Sequence, residues 1–316
     1  MMAKKYDILT IGDCCVDFIL SGGSVVPEFG QKEKIVDNYF LEMGGSCTIF
    51  ACQAAKLGLK TAVIGKVGAD PFGDLILQRL SGAGVDISLM TRDKGLKTGI
   101  TVVMNTGSDR AMLTYTGTID VIRPDDVPDS LLDSTRHLHI GSYFLMNKIR
   151  SHYPDIVKRV KAGGGSVSMD TNWDPTEQWD GGLKVLLPLV DMLMPNEKEA
   201  MAIAGTSTID SAVAALRKIV PILAVKRGKA GATVHANGVD RAVPAVNVKT
   251  VVDTVGSGDS FDAGFLYGYL NGMSLPDCAR IGSICGSIKT RAPGGIAGQI
   301  TLGEIRQMIG KKGDGC

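Results

Sequence analysis

Gly256-Ser257-Gly258-Asp259 places a carboxylate in a run whose other side chains are no larger than serine's. The β-branched residues Val251, Val252, Thr254 and Val255 surround or precede it, and an apolar series follows, Phe261, Phe265, Leu266, Tyr269 and Leu270. That order predicts an extended segment, a tight glycine turn and a helix. Small residues let the backbone turn sharply and approach a ligand closely. The N–H groups at a helix start have no intrahelical partner and lie at the positive end of the dipole, so they make an anion site. Asp259 in that turn can take a proton from a substrate hydroxyl while the N–H groups of Gly256, Ser257 and Gly258 steady a phosphoryl group. A tight strand-to-helix turn with aspartate as helix cap is the plainer reading of the same residues.

Further polar residues fall where strands are expected to end. Tyr6 to Gly12 reads as a buried first strand, followed by Gly12-Asp13-Cys14-Cys15-Val16-Asp17. Strand-like runs at His137–Gly141, Ser166–Asp170, Met192–Met194 and Ile222–Lys226 alternate with helical stretches at about 151–162, 197–204 and 209–219, which predicts a parallel sheet. Asp170-Thr171-Asn172, Asn196 to Glu199, and Lys226-Arg227-Gly228-Lys229-Ala230-Gly231 sit at the ends of such runs. In an open α/β sheet the carboxyl ends of strands are where ligands bind. Asn196 and Glu199 have the spacing of a capping box. The basic glycine turn 226–231 carries three cations suited to a triphosphate. His137 and His139 share one strand face, with no third metal ligand in evidence, and are expected near the surface.

Two segments stand outside the alternating pattern. Val16 to Leu20 and Lys34 to Leu41 read as short strands, and Thr98–Val103 with Ala111–Thr116 reads as a hairpin around a turn at 106–109. Together they predict a small separate sheet, from about 16–41 and 97–118. Gly44-Gly45-Ser46 opens a helix that stops at Gly58, and a strand from Thr61 leads into a helix with Pro71 in its first turn.

Composition excludes several classes. The chain has 316 residues, 44% hydrophobic, with a net charge of +1, so no global field points to nucleic acid or membrane. Seven cysteines form no C-x-x-C, which leaves neither a zinc spacing nor a disulfide framework and predicts reduced thiols in the cytoplasm. The apolar stretch after Lys4 and Lys5 is short and holds Asp7, unlike a signal peptide, and no apolar run is long enough to span a bilayer. No G-x-G-x-x-G follows the first strand, against a dinucleotide-dependent redox enzyme.

Asp253-Thr254-Val255-Gly256-Ser257-Gly258-Asp259 resembles the D-T-x-G-A-G-D signature of the ribokinase family of carbohydrate and nucleoside kinases, with Ser257 in the alanine position. Gly44-Gly45, the helix to Leu57-Gly58, the next strand and Gly65-Lys66-Val67-Gly68-Ala69-Asp70-Pro71-Phe72-Gly73 resemble that family's N-terminal signature. The resemblance covers nearly the whole chain. It implies one α/β domain over 1–316, a central, mostly parallel sheet flanked by helices, with the small sheet as a β lid and dimer contact. It implies ATP-dependent transfer of the γ-phosphoryl group to a hydroxyl of a monosaccharide, such as a pentose, ketohexose or keto-deoxy sugar acid. A nucleoside acceptor is the alternative, and a catalytically weak binder of nucleotide or sugar is a further one.

By that resemblance Asp259 is the base, Gly256, Ser257 and Gly258 form the anion hole, and Asp17, Gly44 and Gly45 join Asp259 in gripping the acceptor. Asn196 and Glu199 act on Mg²⁺ through water and on the phosphates. Asp170, Asn172, Lys226, Gly228 and Gly231 line the nucleotide side. Asp253, with carbonyls of the loop Arg291 to Gly295, holds a monovalent cation such as K⁺. The chain departs from the family's pattern at Ile49, where many members have Asn, at Gly282, where some place an Asn near adenine, and at Trp173, where Arg is frequent.

Overall fold

The computed structural model describes residues 4–23, 25–106, 109–236 and 238–310. The strands in chain order are β1 (Tyr6–Ile11), β2 (Cys15–Ser21), β3 (Asn38–Gly44), β4 (Thr61–Gly68), β5 (Met90–Asp93), β6 (Gly99–Asn105), β7 (Arg110–Tyr115), β8 (Thr135–Ile140), β9 (Ser166–Met169), β10 (Met192–Leu193), β11 (Ile222–Lys226), β12 (Ala232–Ala236) and β13 (Val239–Val243). Nine form one sheet in the order β13-β12-β11-β10-β9-β8-β1-β4-β5, and four form a second, β3-β2-β6-β7.

The large sheet is parallel from β5 to β11 and antiparallel only at the β11-β12-β13 edge. A parallel sheet needs crossovers that cover both faces, so its strands are apolar on both sides. Neighbouring residues accordingly join different cores. Leu9, Leu193 and Leu223 pack on one face with the helix Tyr153–Ala162, while Ile8, Met192 and Ala224 pack on the other with Phe50 and Phe265. Phe265 is fully buried, a gain of about 1.5–3 kcal/mol over leaving it exposed.

Helices Ser257–Leu270 and Leu275–Lys289 lie against each other through glycines. A Cβ on Gly282 would sit 2.8 Å from the Phe261 carbonyl, and one on Gly286 would sit 2.8 Å from the Ser257 carbonyl. Gly282 is thus a packing residue, and it is not among the residues lining the large cavity described below.

The second sheet is the lid. β2 pairs antiparallel with β3 and parallel with β6, and β6 pairs antiparallel with β7. The third strand runs from Asn38 to Gly44, later than the expected Lys34 to Leu41, because its pairing continues until Gly44 meets Cys15 at the entry to β2. At the hairpin turn Thr106 and Asp109 bond to each other (Thr106 N–H to the Asp109 carbonyl, 2.9 Å), while Gly107 and Ser108 lie outside the described residues, as does Cys316.

His137 and His139 do not lie near the surface; both are fully buried. β8 is an interior strand, and its face is covered by helices bearing Phe50 and Tyr269. His139 stacks on Phe50 with centroids 3.9 Å apart. His137 bonds Ser166 and Ser168 at 2.7 Å each. Burial pulls both imidazoles down, His139 to about 3, so they stay neutral members of the core. Among the described residues, no helix is long and apolar enough to cross a membrane, and no cluster of three or more His, Cys, Asp or Glu could hold a metal ion.

Candidate active site

The helix Ser257–Leu270 starts from Gly256, whose φ of 75° lies in the left-handed region that favours glycine. A Cβ there would also meet the Gly295 carbonyl at 2.8 Å and Ile49 at 2.9 Å, so the turn rests on the 291–295 loop and on Ile49. Ile49 therefore braces the turn in place of offering a polar side chain. The Ser257 N–H is engaged by the Thr254 carbonyl at 3.2 Å. The N–H groups of Gly256, Gly258 and Asp259 meet no protein acceptor among the described residues. Three such donors at a helix start make an anion-binding concavity.

Asp259, in the first turn, is 9% exposed and accepts a short hydrogen bond from the Ser46 hydroxyl. Burial raises its carboxyl to about 7; the Ser46 bond opposes the rise, and the charge on Asp170 adds to it. A base poised near neutral pH is what proton abstraction from a hydroxyl asks for. Ser46 opens the helix Ser46–Lys56, which Asp13 caps: the carboxylate of Asp13 accepts from the N–H groups of Ser46 and Cys47, 3.0 Å each, and from the Ser142 hydroxyl at 2.6 Å. Asp13 thus ties the ends of β1 and β8 to the helix that presents Ser46.

Asp17 is on β2 of the lid, its carboxylate against Gly44 of the paired strand. A Cβ on Gly44 would be 2.2 Å from that carboxylate, and Gly45 has a φ of 88°. Glycine is required at both positions, first for space and then for backbone. Burial raises Asp17 to about 7, with Asp13 and Asp259 contributing, and Arg110 opposes them.

A cavity of about 820 Å³ opens from Asp259 across Gly256, Ser257 and Gly258 to Asp170, Asn172, Asn196, Glu199, Gly228 and Gly231. Its far side is formed by Val246, Val248, Ser283 and Gly286, and Arg110 reaches it from the lid. Asn196 and Glu199 form the expected capping box, Asn196 N–H to Glu199 at 2.8 Å and Glu199 N–H to Asn196 Oδ1 at 3.0 Å. Burial and the charge of Asp170 raise Glu199 to about 7. Asn172, at a φ of 55°, accepts from the Ser142 N–H at 2.7 Å.

The basic turn differs from the expected set of three cations facing phosphate. The Lys226 ammonium is clasped by Asp170 and, at 3.1 Å, by Asp262. Arg227 pairs with Glu197 at 2.8 Å. Lys229 is exposed and has no carboxylate partner among the described residues. Lys226 nevertheless lies directly under the turn, 3.3 Å from where a Gly258 Cβ would be, so its charge adds to the positive potential there. Burial would lower it, but Asp170, Asp262 and Glu199 hold it above its ordinary value. Gly231, at a φ of 91° with the Val243 carbonyl 2.0 Å from its would-be Cβ, is a turn glycine that lets β12 begin.

Glu199, Asn196 and Asp170 are oxygen donors facing the cavity, too few for an all-protein metal cage. That number suits Mg²⁺, which keeps waters and binds one or two carboxylates together with phosphates. The monovalent cation expected beside Asp253 meets a different arrangement. The carbonyls of Asp253 and Ala292 receive the ammonium of Lys289, at 3.3 and 3.4 Å, and the Asp253 carboxylate accepts from Val255 and Gly294 N–H at 3.0 and 2.8 Å. These residues do not fit a bound cation in addition.

Asp13, Ser46, Arg110, Asp262 and Lys289 went unremarked as site residues in the sequence. Asp262 is one helical turn beyond Asp259, and Ser46 follows the paired glycines directly, so spacing could have flagged those two. Asp13, Arg110 and Lys289 join the site only through long-range contacts.

Comparison with known proteins shows the family of the chain. The model of the pfkB family carbohydrate kinases matches residues 5–302. An uncharacterized sugar kinase of Archaeoglobus fulgidus is 31% identical over 72% of this chain and 90% of its own length. The solved adenosine kinase of Sinorhizobium meliloti superimposes with a TM-score of 0.86, at 25% identity over 96% of this chain and 99% of the other. A putative ribokinase II of E. coli, solved in complex with ATP and Mg²⁺, does so with a TM-score of 0.83, at 27% identity over 98% and 100%. The chain belongs to the pfkB family of carbohydrate kinases, phosphotransferases with an alcohol group as acceptor.

Proposed function

We propose that the protein transfers the γ-phosphoryl group of ATP to a hydroxyl, a primary hydroxymethyl, of a monosaccharide such as a pentose, ketohexose or keto-deoxy sugar acid. The observation that carries this reading is Asp259, held near a pKa of 7 beside the unengaged N–H groups of the Gly256–Asp259 turn. The acceptor oxygen gives its proton to Asp259 as it bonds to the γ-phosphorus, and the bond to the β–γ bridging oxygen breaks, releasing ADP. The N–H groups of Gly256, Gly258 and Asp259 take up the charge on the transferring group, and Lys226 beneath them adds to that field. Mg²⁺, when bound through water by Glu199 and Asn196, supplies further neutralisation of the phosphates. Asp17 accepts from acceptor hydroxyls, which favours a polyol, since a site built for hydroxyls rejects analogues lacking them. Gly228, Gly231 and Asn172 shape the nucleotide side of the cavity.

Coupled ADP-release measurements across pentoses, ketohexoses, keto-deoxy sugar acids and nucleosides test the reading. Acceptor-dependent ADP release that Asp259→Asn lowers by about 100-fold or more is the expected result, and no ADP release with any acceptor overturns it. A nucleoside acceptor is the second reading, favoured by the likeness to the S. meliloti adenosine kinase; it predicts the strongest response from adenosine. Six described cysteines are free and buried, which suits the reducing cytoplasm. The apolar outer face of the lid, where Tyr39, Leu41, Leu113 and Tyr115 are exposed, suits a homodimer.

A further inference from the structure

Lys289 ends the helix Leu275–Lys289 and is fully buried, side chain included. No carboxylate lies within ion-pair distance of its ammonium among the described residues. Its hydrogen bonds go to two main-chain carbonyls, those of Asp253 and Ala292. A buried ammonium without a direct counter-ion is costly unless its surroundings are built to receive it. Here they are. Asp253 and Ala292 stand at the start of the two loops that meet behind the anion hole. The Asp253 carboxylate clasps both, through Val255 N–H on the turn side and Gly294 N–H on the other. Gly256, which opens the catalytic helix, rests on Gly295 of that second loop. Burial lowers the ammonium to about 8, while Asp253 and Asp259 draw it back up.

We infer that the Lys289 ammonium stands where a bound monovalent cation would otherwise hold these two loops together, so the protein carries its own fixed cation and needs no K⁺. A lysine ammonium has the same unit charge as K⁺ and seeks the same carbonyl oxygens, but it is tethered and cannot dissociate. Lys289 is then a positioning residue: it acts through the Asp253 and Ala292 carbonyls on the turn that bears the phosphoryl-binding N–H groups. The inference rests on the phosphoryl-transfer reading of that turn only for its catalytic consequence.

The test compares the intact protein in KCl, NH₄Cl and tetramethylammonium chloride at equal ionic strength. Melting temperature and ADP release with the best acceptor are both expected to be the same in all three. A melting temperature or turnover raised several-fold above its scatter by K⁺ or NH₄⁺ overturns the inference. The melting arm needs no acceptor, so it reads Lys289 even where the kinase reading fails. Lys289→Met is expected to lose turnover on the order of 10- to 100-fold in tetramethylammonium, less than removal of an anion-hole donor itself, and to regain it with K⁺, NH₄⁺ or methylammonium. A folded Lys289→Met that keeps full turnover without these ions, or that none of them restores, also overturns it. If that variant does not fold, the wild-type comparison still decides.

Discussion

At the scale of single residues, the site turns on how Asp259 is held. Its carboxyl is buried, bonded by Ser46 and raised to about 7. Asp259→Asn keeps the shape and the hydrogen-bonding capacity and removes the proton acceptor. Turnover is expected to fall about 10²–10⁴-fold, the usual range for general acid–base catalysis, with nucleotide affinity close to wild type. Single-turnover kinetics and a nucleotide titration check this, and a variant turning over at the wild-type rate would remove Asp259 from the base role.

The same carboxyl makes activity and stability respond oppositely to pH. As the proposed base, Asp259 acts only when ionised, so kcat/KM is expected to climb through about pH 7 and level off above it. Stability has the other sign. The folded protein holds the Asp259 proton up to about pH 7, while the unfolded chain releases it near the ordinary value of 3.8. Between those values the native state binds more protons, so stability falls as pH rises. Asp17 and Glu199, also raised to about 7 by burial, act in the same direction. Urea midpoints of wild type and Asp259→Asn between pH 4 and 8 measure the part due to Asp259: the variant's profile should be flatter. Parallel profiles would refute the shift.

At the scale of elements, the ends of β9 and β11 and the helix Ser257–Leu270 are joined by one ammonium. Lys226 on β11 reaches Asp170 after β9 and Asp262 on the helix. Removing one partner of a buried ionic group leaves an uncompensated charge, which costs about 3–5 kcal/mol. Lys226→Met is therefore expected to lower the denaturation midpoint and to abolish turnover together, because the helix bearing the proposed anion hole loses its anchor. Loss of turnover with an unchanged midpoint would mean that Lys226 serves the nucleotide alone and not the packing of the strand ends.

At the scale of the whole molecule, the lid is two-faced. Strand register puts Tyr39, Leu41, Phe18, Leu20, Val102, Leu113 and Tyr115 on one side, and Asp17, Thr101 and Thr114 on the other. Tyr39, Leu41, Leu113 and Tyr115 are exposed. An apolar sheet face of this kind with open edges is a surface that proteins usually cover. A second copy of the chain, lid to lid, is the cover we expect. Sedimentation should show a dimer, and Tyr39→Lys with Leu113→Lys should weaken it by about 30-fold or more, the effect of losing one hot-spot residue. A monomeric wild type would refute the arrangement.

Much of the fold was legible in the chain because it follows from local rules. The strand–helix alternation, the glycine turn into the helix Ser257–Leu270, the lid hairpin and the Asn196–Glu199 capping box all depend on neighbours a few positions apart. Their spacing alone determined them. What needed the tertiary structure is what burial and long-range pairing decide. Ser46 meets Asp259 across 213 positions and Asp13 meets Ser142 across 129. His137 and His139 look like surface histidines until β8 is placed in the interior of the sheet. Lys226 looks like a phosphate ligand until Asp262 is brought beside it, and Lys289 looks like an ordinary helix end until the Asp253 and Ala292 carbonyls close on it. Residue type states which charges a chain carries; only the order of strands in the sheet states which of them are shut away from water and against what, and that decides what each can do.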